Sequence, residues 1–241
     1  MTISKTLCCR AGIGYKIWTS TCTKIQTVSS RTKQARYIFL RSLYRVPSIS
    51  FAISAFRFAF FKYILRRKLL MWSVDEKLTK MYDYSKSAYS GMLIRPLTRA
   101  ALPIQLASLL LWPEPFDKKI LIIGPRYESD YFLARGYGFS KSNITLLDHF
   151  SYSRLITVGD AHQLDFAENY FDVVVASWIL VYSLNHSQLL SEVRRVLKPT
   201  SGIAIITGNQ YHITQGPDSL QESQSEYTFR QVILKRNGLI H

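Results

Sequence analysis

Three observations in the 241-residue sequence predict an α/β fold around a doubly wound, mostly parallel sheet with a helical N-terminal extension. Short, continuous apolar runs lie at 119–123, 143–147, 154–158, 171–176 and 203–207, as expected of strands buried on both faces. Helical stretches at about 128–138 and 186–197 alternate with them, which is the rhythm of strand–helix–strand crossovers. The first run, KKILIIGPRYESD at 118–130, stops on Gly124-Pro125 and opens at once into an acidic turn. A strand that ends this way presents its backbone to a ligand at the edge of a parallel sheet.

The chain before these strands divides by composition. Residues 1–36 are basic and rich in Ser and Thr, without a strong period, and read as a disordered or targeting segment. Residues 37–72 are apolar and basic, and predict a helical segment. Arg57 and Lys62 interrupt its apolar run, and each would cost about 2.5–3.5 kcal/mol at a bilayer centre, which disfavours a simple span. Two readings fit it: a helix lying on an anionic membrane surface, or one packed on the domain with its cations solvated. The third segment, 73–241, is the globular domain, with a helical lead-in over 73–116. There Ser73 or Asp75 caps a helix carrying Leu78, Met81 and Tyr82, and a second helix is broken by Pro103 and closed by Pro113 and Pro115. After the fifth strand about 34 residues remain, predicting one more helix and the start of a sixth strand, so that the chain is either truncated or has a sheet reduced at the C-terminus.

The net charge of +15 belongs to the arm. Residues 1–74 hold 14 of the 31 Lys and Arg and no acid; the rest carries 17 basic against 16 acidic residues. Cys8, Cys9 and Cys22 also lie in the arm, so no disulfide framework holds the domain. An intracellular, cytoplasmic setting with membrane association fits, or an organellar one if residues 1–35 act as a transit peptide. Nucleic acid is a poor partner, since the long Phe and Ile run suits lipid better. No zinc spacing, Ser-His-Asp pattern or Gly-Lys-Ser/Thr phosphate loop is visible.

Residues 118–208 resemble S-adenosylmethionine-dependent methyltransferases of the Rossmann-like, type 11-like kind. The pieces are ILIIG with its acidic turn, ITLLD, VGDAHQLDF, NYFDVVVASWILVY and LLSEVRRVLKPTSGIAIIT, in that order. The resemblance implies S-adenosyl-L-methionine as cofactor. It places Gly124 against the methionine part, Asp148 on the ribose hydroxyls, Asp160 on the adenine amino group and the Ala161 amide at the ring. Asp148 and Asp160 would then grip one adenosine from opposite sides. Ser177 and Trp178 fall at the cofactor pocket and the substrate mouth, and Lys198-Pro199 and Gly202 at the turn into the fifth strand.

The first motif is degenerate. A glycine-rich G-x-G-x-G loop is replaced by Gly124-Pro125-Arg126-Tyr127-Glu128. Pro125 removes an amide donor, and Arg126 is placed to pair with the cofactor carboxylate in compensation. Glu128 is placed to cap the next helix or to hold the cofactor amino group. Only 11 residues separate Asp148 from Asp160, too few for both a crossover helix and a strand. The resulting expectation is methyl transfer to a small-molecule, sugar or lipid-linked acceptor. The alternative is a methyltransferase-like fold that binds without turnover. No catalytic residue is assigned, because a sulfonium is already activated and the protein mainly aligns the reactants.

Overall fold

The computed structural model describes residues 36, 38–72, 100–183, 185–209, 229–235 and 238–240. The expected helix around Leu78, Met81 and Tyr82, the three cysteines and the transit-peptide segment lie outside them. The chain divides into two compact units, Met1–Ser42 and Leu43–His241, a boundary slightly past the compositional one at 36. The second unit carries the sheet.

Its elements begin with α1 (Pro47–Ala59), continued by a π-helical turn over Phe60–Ile64, then β1 (Leu70–Met71) and α2 (Ala101–Leu110). Next come β2 (Ile120–Ile123), α3 (Ser129–Tyr137), β3 (Ile144–Asp148), β4 (Phe150–Ser151) and β5 (Ile156–Val158). The chain goes on through β6 (Val173–Ser177), α4 (His186–Val196), β7 (Ile203–Asn209), β8 (Phe229–Lys235) and β9 (Gly238–Ile240). The main sheet has the order β5-β3-β2-β6-β7-β8-β9. Its first five strands are mutually parallel, and β8 and β9 add on antiparallel.

Period-two alternation explains why the strands are continuously apolar. Ile120, Ile122, Val173, Val175 and Ile205 face one core with Phe132 and Leu133 of α3 and Ile104 of α2. Their neighbours Leu121, Ile123, Val174, Ala176 and Ile206 face the other core, under Leu189, Val193 and Val196 of α4. Each such side chain contributes roughly 1.5–3 kcal/mol on burial, so both faces must be covered. α4 starts at Asn185, whose side chain accepts the Gln188 N–H at 3.0 Å. α3 ends at Gly138, with φ of +114° in the left-handed region.

The structure decides three of the expectations. Pro103 does not break a helix: α2 starts at Ala101, and proline in a first turn removes no hydrogen bond the helix would make. The sheet is not reduced, because residues 229–240 supply the strands β8 and β9 rather than a helix. Part of the 37–72 segment packs on the domain. Ala55 and Phe58 of α1 are buried, Tyr44 stacks on Phe132 at 5.3 Å, and Arg57 pairs with Glu128 at the start of α3. Gly136 permits this approach, since a Cβ there would fall 2.6 Å from Arg45 N. Among the described residues no helix is long and apolar enough to cross a membrane.

As expected, no helix separates Asp148 from β5. The chain instead makes β4, which pairs antiparallel with β1 (Leu70 with Ser151, Met71 with Phe150). The winding reverses between β2 and β6, and open parallel sheets form ligand clefts at the carboxyl ends of strands flanking such a reversal.

Candidate functional site

A cleft of about 740 Å3, its open mouth included, lies there. Gly124 to Tyr127, after β2, form one wall, and Asp148 to Phe150, at and beyond the tip of β3, form the next. Ser177 to Ile179, after β6, and Tyr182 close the far side, while Asp130 of α3 also lines the cleft. The backbone is strained around it. Gly124 has φ of +71°, Arg126 of +54° and Trp178 of +62°, all left-handed. For Arg126 and Trp178 that conformation costs energy, and the surrounding hydrogen bonds hold it. The Arg126 N–H donates to Asp148 Oδ2 at 2.8 Å, and the Trp178 N–H donates to Thr207 O at 2.6 Å. Gly124 is required by its φ rather than by space, since a Cβ would make only ordinary contact with Ile179 at 3.4 Å.

Gly124, Arg126, Asp148 and Ser177 are therefore brought together as the sequence predicts. Asp148 does more than expected: its Oδ1 accepts the His149 N–H at 2.7 Å while Oδ2 holds the loop through Arg126. Burial raises its pKa, and these two backbone bonds oppose the rise. Each oxygen keeps acceptor capacity for a ligand hydroxyl.

Glu128, Asp160 and Ala161 are not brought to the cleft lining. Glu128 is buried on the other side of the loop, where Arg57 donates to both its oxygens (Nη2 at 3.1 Å) and Ser153 Oγ donates to Oε1. It makes no side-chain cap on α3. An ion pair to α1 therefore replaces the expected capping or amino-group role. Asp160 folds back on its own turn: Oδ1 accepts the His162 N–H at 2.9 Å and bonds His162 Nδ1 at 2.7 Å. Partial burial acts to raise Asp160, but the two His162 groups outweigh it and hold the carboxyl below its ordinary range. The Ala161 side chain packs into the core under α4. Arg195 fixes the following stretch by donating to Leu164 O at 2.7 Å and Phe166 O at 2.8 Å. The expected grip of two carboxylates on a common cleft is thus reduced to one.

The structure also assembles what sequence spacing hid. His162 Nε2 lies 2.8 Å from Ser183 Oγ, giving an Asp160–His162–Ser183 relay. Ser183 is buried and does not line the cleft, so the relay fastens the 160–163 turn to the segment after β6. Among the described residues no cluster of His, Cys, Asp or Glu could hold a metal.

Asp130 and His149 were missed by sequence reasoning. Asp130 closes the quoted stretch 118–130 and His149 directly follows ITLLD, where an Asp-His pair at a strand end was the available signal. His149 Nδ1 and Ser177 Oγ are buried without a hydrogen-bond partner, although both residues line the cleft. Asp130 is 3% exposed, and its side-chain bond is a long one from Ser129 Oγ at 3.5 Å. Burial pushes its carboxyl up to about 8, the Ser129 bond opposes this, and the Asp148 charge adds to it. At neutral pH the cleft then holds a neutral acid. A carboxyl that keeps its proton in the fold and loses it on unfolding lowers stability as pH rises from about 4 towards 8. Asp130→Asn is therefore expected to raise the melting temperature at pH 8 and leave it nearly unchanged at pH 4. Equal shifts at both values in thermal denaturation would contradict this placement.

Residues 135–206 match the family model described as "Methyltransferase domain". No curated protein matches the chain. Among solved structures, a protein from Pyrococcus horikoshii OT3 is 26% identical over 48% of this chain and 59% of its own, with a TM-score of 0.36. A Galdieria sulphuraria protein assigned as a sarcosine dimethylglycine methyltransferase is 20% identical over 46% and 51%, with a TM-score of 0.33. The [4+2]-cyclase SpnF is 19% identical over 45% of each chain, also with a TM-score of 0.33. The chain thus spans less than two thirds of each of these proteins. The order of its parallel strands and the cleft at their carboxyl ends make this a Rossmann-like α/β fold, and residues 135–206 within it match the methyltransferase domain family.

Proposed function

We propose that the cleft binds S-adenosyl-L-methionine and that the domain transfers its methyl group to a small-molecule, sugar or lipid-linked acceptor. One observation carries this reading: the half-buried Asp148 carboxyl stands at the tip of β3 in a cleft that also holds two unpartnered buried polar atoms, Ser177 Oγ and His149 Nδ1. In this reading Asp148 accepts from the ribose hydroxyls, Gly124 and Ser177 border the methionine part, and Arg126 offers its guanidinium to the carboxylate. When bound, the cofactor supplies a methyl on a sulfonium. The chain's part is to orient it and to exclude water, with Trp178 and Tyr182 at the mouth where an acceptor would enter.

A second reading, a fold that binds without turnover, is favoured by specific losses. Two glycines are absent from the loop, Glu128 serves α1, and Asp160 is held by His162. Calorimetry with S-adenosylmethionine and S-adenosylhomocysteine tests both readings. Saturable binding of each at micromolar concentrations is the expected result; no heat of binding at millimolar ligand removes the transferase reading.

A further inference from the structure

The helix α1 carries apolar side chains on two faces, with Ala55 and Phe58 buried against the domain. Its inner face against the domain carries Ser50 and Ser54, at 0% and 2% exposure, with Ser50 Oγ donating to Tyr44 O at 2.7 Å. Its outer face, prolonged by the π turn, carries Phe56, Phe60, Tyr63 and Ile64, at 75%, 37%, 60% and 69% exposure. Their spacing of i, i+4, i+7 and i+8 places them on one stripe. A helix that buries one apolar face on the domain and turns a second aromatic stripe to solvent has a second surface to cover.

The charges beside that stripe say what covers it. Lys62 lies within it, and Arg66, Arg67 and Lys68 follow directly. The cations are bound up with the aromatics: Arg67 sits 4.5 Å from the Phe61 ring centroid, and Lys62 sits 5.2 Å from that of Tyr63. The cover must therefore be apolar and anionic at once. Residues 1–35 contain no acid and match it poorly. A second copy of the chain pairing through this stripe would set like cations against each other. We infer that the outer face of α1, from Phe56 to Lys68, docks the domain on the surface of an anionic lipid bilayer, aromatics in the acyl boundary and cations among the headgroups. An interfacial helix needs an apolar face of this kind with cations at the headgroup level, and no span.

This inference does not depend on methyl transfer, and its test contains no cofactor. The full chain is floated with vesicles of phosphatidylcholine alone, or with added phosphatidylglycerol, at about 0.1 M salt, where charge attraction still reaches roughly 10 Å. It is expected to float with the anionic vesicles and to stay in the dense fraction with the neutral ones. Phe56→Ser with Ile64→Ser, and separately Arg66→Gln with Lys68→Gln, are each expected to lower the partition coefficient about tenfold or more. Their side chains are exposed, so the circular dichroism and melting temperature stay those of the parent. Three outcomes overturn the inference: no flotation on anionic vesicles, equal flotation on both, or variants that float like the parent. A concentration-dependent dimer abolished by Phe56→Ser with Ile64→Ser also overturns it, and gives the stripe to a second copy.

Discussion

Asp148→Asn weakens the binding of S-adenosylhomocysteine roughly a hundredfold, the equivalent of losing one to two hydrogen bonds to a charged acceptor. The carboxylate has two duties, and asparagine fails both. In the proposed complex a ribose hydroxyl loses one of the two carboxyl oxygens that would accept from it. One of the two amides now held, from Arg126 or His149, meets an N–H instead of an oxygen. The Arg126 backbone at φ of +54° depends on that bond, so the loop relaxes and the cleft wall moves. The core strands lie below the substitution, and the melting temperature in the absence of ligand should change little by comparison. Titration calorimetry decides the point: an unchanged dissociation constant would remove Asp148 from the site.

The second large effect is asymmetric. Arg57→Ala should cost about 3 kcal/mol or more in urea denaturation, and Glu128→Ala clearly less. Glu128 is 5% exposed, and without Arg57 it keeps only the Ser153 hydroxyl as a side-chain partner, so a charge is stranded in the interior. The Arg57 side chain is 37% exposed, and without Glu128 it rehydrates. The pair draws the Arg57 guanidinium further up from its ordinary pKa, chiefly through the Glu128 hydrogen bond. The double variant should lose less than the sum of the two. Equal or inverted costs would show that the ion pair does not anchor α1.

What could be read from the residues follows from how local each cause is. The parallel strands were legible because burial on both faces writes itself as unbroken runs such as Ile120–Ile123 and Val173–Ser177. The Gly124-Pro125 break marked the cleft, and Asp148 and Ser177 followed from their places at strand ends. Glu128 was misread because its partner Arg57 is 71 residues away, and no spacing rule reaches that far. Asp160 was misread for the opposite reason: its competitor, His162, is only two residues on and captures it first. The last strands did leave a signal. FRQVILK is rich in strand-forming residues, and the Asn237-Gly238 pair beyond it favours a hairpin, a signal that outweighs the helical expectation for this segment. The acid Asp130 went unseen because burial, which defines it, has no mark in the sequence.

The pairing of β1 with β4 has a practical sequel. A shortened chain begun near residue 73, where acids first occur, looks like a clean catalytic core. It would start without the strand that borders Phe150 and Ser151, and without the cation that neutralises Glu128. Inactivity of such a fragment would report damage to the cleft's own supports and nothing about the chemistry inside it.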